Sequence, residues 1–401
     1  MNRKKLLSGM LTMFIALALI SSAGAQSWGP RSLQELKQET LRRASKSLGP
    51  ISGVLTEDAE RAMADFDRLD QDRWAEVWMR NGNDYMVRAV ETSGDEAREL
   101  YYNAWRNFNV GRWPTERHSD GKRESYESGL QAFNEYGKLL DPPVETVRIP
   151  FEGSELVAYL RIPTSEEPVP LIIGINGLDS RKEDVIAGAD RYIANGVGMF
   201  AMDMPGTGQS PVLIDVGSER VFSAALDYLA TREDVDSDRV GIQGRSWSGY
   251  WAALVAYLEP DRIQGAAIHG VGVHGYYQPE WQEHAILSEE YLFDLFPARA
   301  TVYDTKTMEE FLAYGPRLSL VERGLIDQPS APMLLVNGEL DSQQPIADLY
   351  LMMRNGDPKQ AWVNPVGGHM GRSEKWPMGR ILSQVVEPWL MRQVGVEPKP
   401  R

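Results

Sequence analysis

The chain has no cysteine among its 401 residues. That excludes a disulfide framework, thiolate metal sites and thiol redox chemistry, so stability must come from an ordinary buried core. Histidine is nearly as scarce, with five in all, so each imidazole can be weighed singly as a base. Positive charge is in deficit: 42 Lys and Arg stand against 57 Asp and Glu, a formal net charge of −15. Nucleic acid and anionic membrane surfaces would repel such a chain, and neither is expected as a partner. Internal repeats, polybasic runs and low-complexity tracts are also missing. One long apolar run does occur, from Leu6 to Ile20, behind Arg3-Lys4-Lys5 and ahead of Ala23-Gly24-Ala25. It is shorter than the roughly 20 residues that span a bilayer, and the small residues after it have signal-peptidase spacing. Residues 1–25 therefore read as a signal peptide cleaved after Ala25. The expected product is periplasmic or secreted, with no stable membrane insertion.

Two unequal domains fit the remaining length. From Leu33 to about Leu140, apolar and aromatic residues recur at helical spacing: Trp74 and Trp78, then Tyr101, Trp105 and Phe108, then Tyr126, Leu130 and Phe133. Residues 26–143 thus read as a helical domain, ended at Asp141-Pro142-Pro143 because proline cannot donate to a helix. The pattern then changes to apolar runs of strand length at Val144–Ile149, Leu156–Ile162, Leu171–Asn176, Val197–Asp203, Val240–Gly244, Gly265–His269, Met333–Asn337 and Ala361–Pro365. Helical stretches separate most of them, among them Asp184–Asn195, Ser218–Arg232, Trp247–Leu258, Ile346–Arg354 and Met378–Val394. Such alternation predicts an α/β domain over residues 144–401, a mainly parallel doubly wound sheet. The first two strands read as an antiparallel hairpin, and residues 271–327 as a helical insertion.

In Gly244-Arg245-Ser246-Trp247-Ser248-Gly249 a serine stands between a buried strand and an immediate helix, the setting of a nucleophile elbow. Gly244 and Gly249 supply the small neighbours that a strained turn needs, although Ser248 occupies the place where glycine usually follows. Ser246 is the candidate nucleophile and Ser248 its rival. A serine hydroxyl is a weak nucleophile until a base takes its proton. His369 lies in a glycine-rich loop just past the last strand and is the candidate base; His118, His269, His274 and His284 read as packing or capping residues. An acid is expected after a strand between nucleophile and base. Asp341 meets this, with Glu339 as its substitute. The oxyanion of the transition state needs fixed donors, for which the backbone amides of Trp247 and Leu178 are expected, with Gly177 in reserve. Asp203-Met204-Pro205-Gly206-Thr207-Gly208 reads as a structural turn. No cluster has metal-ligand spacing, so neither metal nor cofactor is expected.

The segments Gly177-Leu178-Asp179-Ser180-Arg181-Lys182-Glu183, Asp203-Met204-Pro205-Gly206-Thr207-Gly208, Gly244–Gly249, Gly111-Arg112-Trp113-Pro114 and Pro142-Pro143-Val144-Glu145 together resemble one α/β-hydrolase group. That group includes the 2,6-dihydropseudooxynicotine hydrolases, the fungal polyketide-shortening hydrolases and the fermentation-respiration-switch esterases. The resemblance implies the α/β-hydrolase fold, a helical N-terminal domain capping the site, and a triad at Ser246, Asp341 and His369. It departs from the group in Ser248 and in the signal peptide, since members of the group are mostly cytosolic.

The chain is therefore expected to be a serine hydrolase acting on a small-molecule carboxylic ester. Cleavage of a carbon–carbon bond in a β-diketone-like substrate is the alternative chemistry, and a catalytically silent binding protein the alternative class. Exopeptidase activity ranks lower because related peptidases carry a propeller domain. Homo-oligomerisation is left open. The aromatics Trp74, Trp78, Tyr101 and Trp105 are read either as lining an acyl pocket or as helix-packing core.

Overall fold

The computed structural model describes residues 31–287, 291–293 and 295–399. The signal peptide expected over residues 1–25 lies outside them.

Five helices come first: α1 (Leu33–Ser45), α2 (Thr56–Asp65), α3 (Gln71–Ala89), α4 (Gly94–Arg112) and α5 (Asp120–Lys138). Local chemistry starts several of them. Ser32 and Glu35 form a reciprocal capping box on α1, and the Asp70 carboxylate accepts the Arg73 amide at 2.8 Å to open α3. On α3 the buried positions Trp74, Val77, Trp78, Asn81 and Tyr85 follow the helical period and form one inward face. Trp74 and Trp78 are fully buried; Trp74 donates its indole N–H to the Val110 carbonyl at 2.8 Å. Trp105 packs against Phe133 with ring centroids 4.9 Å apart. For these three tryptophans the helix-packing reading prevails.

Eight strands then form one sheet: β1 (Glu145–Phe151), β2 (Ser154–Arg161), β3 (Val169–Ile175), β4 (Gly198–Met202), β5 (Val235–Arg245), β6 (Gly265–His269), β7 (Met333–Gly338) and β8 (Gln360–Asn364). Their order is β1-β2-β4-β3-β5-β6-β7-β8. The expected lead-in hairpin is present, since β1 and β2 pair antiparallel, as do β2 and β4; every other neighbour is parallel. Strands β3, β4 and β6 are buried along their whole length, which explains their unbroken apolar runs.

Further helices connect and follow the strands. They are α6 (Lys182–Ala187), α7 (Asp190–Ala194), α8 (Arg220–Leu229), α9 (Ser248–Leu258), α10 (Pro279–Ile286), α11 (Leu295–Tyr303), α12 (Met308–Tyr314), α13 (Ile346–Arg354), α14 (Met378–Ile381) and α15 (Glu387–Gln393). The single helix expected over Asp184–Asn195 is two pieces that break at Gly188, a residue of low helix propensity. Between β6 and β7 the described residues hold helices and no strand. Helix α9 is buried from Ser248 to Tyr257 and forms the centre of the core. Among the described residues no helix is long and apolar enough to cross a membrane.

From β3 the chain crosses to β4 on one side, and from β4 it returns to β5 on the other. A crevice opens at such a switch point, outside the carboxyl ends of the two strands. The loops after β3 and β5 carry Leu178 and Ser246.

Candidate active site

Strand β5 runs into α9 with no intervening loop, and the turn residue Ser246 takes a left-handed backbone, φ +58°. That conformation is costly for a residue with a side chain and survives only where the surroundings enforce it. The enforcement is visible: a Cβ on Gly244 would lie 1.9 Å from the Ser248 carbonyl oxygen, so only glycine allows the turn to close. The Ser246 amide donates to the His269 carbonyl at 2.7 Å, tying the turn to β6.

Ser248, the rival nucleophile, has another task. Its hydroxyl is fully buried, accepts the Arg245 amide at 2.7 Å and lies 2.9 Å from the Ile175 carbonyl. It replaces the usual glycine by stitching the elbow to the end of β3.

Ser246 Oγ stands 2.7 Å from His369 Nε2, and His369 Nδ1 stands 3.0 and 3.1 Å from the two oxygens of Asp341. An ionised carboxylate only accepts, so Nδ1 carries the proton and Nε2 is left to accept from the serine hydroxyl. Asp341 is buried. Burial pushes its carboxyl pKa up, but the His369 imidazole and the amides of Gln344 and Gln343 outweigh this and hold it below the usual carboxylate value. The acid and base loops are locked together, since a Cβ on Gly338 would lie 2.2 Å from the carbonyl oxygens of both Gly367 and Gly368. Glu339, the substitute acid, is exposed and accepts instead from the Tyr350 hydroxyl at 2.7 Å.

The amides of Trp247 and Leu178 donate to no acceptor among the described residues. The loop bearing Leu178 touches the elbow: a Cβ on Gly177 would lie 3.3 Å from Ser246 Cβ. Gly177 is less suited to the role, because its own amide donates to Ser180 Oγ at 3.1 Å.

A family model described as Esterase FrsA-like matches residues 60–369, more than half of the chain. The chain belongs to the FrsA-like esterase family. It is 25% identical over 291 residues to Esterase FrsA of Vibrio vulnificus, a match covering 71% of this chain and 65% of that protein. It thus spans just under two thirds of the length of that curated relative. Over 202 residues it is 29% identical to the 2,6-dihydropseudooxynicotine hydrolase of Paenarthrobacter nicotinovorans, covering 48% of this chain and 54% of that one. The solved 2,6-dihydroxy-pseudo-oxynicotine hydrolase superposes with a TM-score of 0.72 at 22% identity, covering 88% of this chain and 97% of the other. Wild-type AbyA5 gives 0.71 at 20%, covering 92% and 96%. These two likenesses establish the α/β-hydrolase fold with a helical N-terminal region.

The other four histidines lie outside the Ser246, His369 and Asp341 cluster. His269 is buried beneath the base loop, its Nε2 2.9 Å from the Met370 carbonyl, and burial holds its pKa down at about 3. His274 pairs with Ser319 Oγ at 2.7 Å, and His284 packs on Trp281. Burial likewise lowers His118, to about 4. Asp203 is structural as expected: its carboxylate accepts the Lys182 amide at 2.9 Å and the Gln209 amide at 3.0 Å.

Three polar residues escaped the sequence reading. Gln344 donates its side-chain amide to the Ser246 carbonyl at 3.0 Å, bracing the elbow from the acid loop. Asp348 gathers the amides of Val273, His274, Gly275 and Tyr276 at 2.7–3.1 Å and fixes the loop after β6. Glu116 follows the quoted Trp113-Pro114 segment and reaches the sheet. It accepts from Arg181 Nε at 3.1 Å and from the Gly208 amide at 2.9 Å, while Arg181 donates to the Leu178 carbonyl at 3.0 Å. Only the acidic residue itself was legible in the sequence; its partners are 65 and 92 positions away.

Proposed function

We propose that the protein is a serine hydrolase that cleaves a small-molecule carboxylic ester through an acyl-enzyme. The observation that carries this is the 2.7 Å approach of Ser246 Oγ to His369 Nε2 on a positive-φ turn. Ser246 attacks the ester carbonyl as His369 takes its proton. The amides of Trp247 and Leu178 stabilise the resulting oxyanion, and the imidazolium is stabilised by Asp341 and then protonates the leaving alcohol. Water enters by the same base and releases the acid. Each step uses a group on this chain, and the proton returns to its starting place.

The same triad would serve hydrolysis of a carbon–carbon bond beside a carbonyl, with a stabilised carbanion as leaving group. Family kinship to a 2,6-dihydropseudooxynicotine hydrolase keeps this second reading in view. A panel of aryl esters beside a β-diketone, run with the mature form and Ser246→Ala, separates the two. Turnover of esters that disappears in Ser246→Ala supports the first; a protein that cleaves only the diketone supports the second. Failure of a fluorophosphonate probe to label Ser246 would favour a silent binding protein. Export through residues 1–25 is part of the same proposal, and fractionation of cells expressing the full chain tests it.

A further inference from the structure

A buried cation needs a counter-charge, because removing it from water costs several kcal/mol unless a partner compensates. Eight Arg and Lys side chains are buried among the described residues: Arg43, Arg106, Arg112, Lys122, Arg161, Arg181, Lys182 and Arg299. Six of them face a carboxylate within 4.0 Å. Lys122 and Arg299 face none among the described residues. Lys122 donates to the Trp113 carbonyl, and burial lowers its pKa well below the usual amine value, a route open to an amine that can shed its proton. A guanidinium has no such route.

Arg299, on α11, has 2% of its surface exposed. One terminal nitrogen donates to Gln282 Oε1 at 2.7 Å; Nε and the other terminal nitrogen have no acceptor among the described residues. Its guanidinium lies 6.0 Å from the ring centre of Trp247 and 5.4 Å from that of Tyr276. Aromatic faces of this kind orient a cation without neutralising it. Gln282 is fixed in turn by donating to the Tyr276 carbonyl. The charge is therefore positioned beside the residue that follows Ser246, with part of its donor fork unspent.

We propose that Arg299 is a substrate-recognition residue that binds a carboxylate on the acyl portion of the substrate, so that the preferred ester is a monoester of a dicarboxylic acid. This rests on the serine-hydrolase reading for its turnover, and on the unspent guanidinium for its specificity. A planar fork matches a carboxylate through two parallel hydrogen bonds, and a site built for them discriminates strongly against a neutral analogue.

The test compares para-nitrophenyl hydrogen adipate with para-nitrophenyl hexanoate in wild type, Arg299→Met and Arg299→Lys. The expected result is a charged-to-neutral kcat/KM ratio at least tenfold lower in Arg299→Met and intermediate in Arg299→Lys. An unchanged ratio overturns the proposal. Calorimetric titration of adipate into Ser246→Ala reads the same site without turnover, with adipamide as the neutral control. Adipate binding that adipamide does not match supports the proposal even if Arg299→Met fails to fold; equal or absent binding of the two refutes it. If wild type hydrolyses no ester and takes up no fluorophosphonate while adipate still binds, the hydrolase reading has failed and the carboxylate site has not.

Discussion

Glu116→Gln should separate the positioning of the oxyanion donor from ordinary stability. Glu116 is buried and binds two groups of the sheet domain, the Arg181 guanidinium and the Gly208 amide. Arg181 then donates to the Leu178 carbonyl at 3.0 Å, on the residue whose amide is proposed to bind the oxyanion. Burial would raise the Glu116 carboxyl pKa, yet Arg181 and Arg112 hold it at about 2. A carboxyl with a depressed pKa stabilises the fold above its unfolded value and loses that contribution only as pH falls through the folded one. The link should therefore survive mild acid and fail towards pH 2. Removing one partner of a buried pair costs about 3–5 kcal/mol, and glutamine keeps an acceptor, so about 3 kcal/mol is expected. Loss of a whole oxyanion donor costs on the order of 100-fold in kcat or more, so loosening one should cost about tenfold, with KM little changed. Arg161→Ala is the control: Arg161 is also buried, pairs with Asp190 at 2.7 Å and donates to the Pro142 carbonyl, and it lies level with Ile172 near the start of β3, away from the end of that strand that leads to Leu178. Urea unfolding and ester kinetics on both variants give the answer. Similar stability losses with a kcat decrease in Glu116→Gln alone are expected; equal kcat in the two would refute the positioning role.

Three further outcomes are expected. Ser246→Ala should abolish fluorophosphonate labelling and lower kcat by on the order of 10⁴-fold or more, with its urea midpoint close to that of wild type. Ser248→Ala should keep the labelling but lose about 1–3 kcal/mol in urea, since the Arg245 amide loses its buried acceptor; loss of labelling there would instead make Ser248 the nucleophile. Asp341→Asn should lower kcat by roughly 10⁴-fold through the wrong imidazole tautomer. Because the Asp341 carboxyl lies below its ordinary value, wild type should gain stability over that variant above about pH 4 and lose the advantage as acid protonates it. Urea midpoints measured across pH check the last point.

The parallel sheet was legible because a strand buried on both faces must be apolar throughout, as in Leu171–Ile175. The glycines around Ser246 could be read because a left-handed turn leaves no room for a Cβ. The break at Gly188 was less clear, since a single glycine within a helical pattern lowers propensity without dictating an end.

The sequence by itself determined which residue types could do the chemistry and their order, Ser246, Asp341, His369, because each sits just after a strand and a parallel sheet gathers such ends on one edge. Choices between neighbours needed three dimensions. Ser246 over Ser248 and Asp341 over Glu339 turn on which side chain meets the imidazole and which meets a carbonyl or a tyrosine. The roles of Glu116, Gln344 and Arg299 also come only from the tertiary structure. Whether a charged or amide side chain is paired, braced or left with an unspent donor depends on contacts between residues distant in the chain, and no local pattern encodes that.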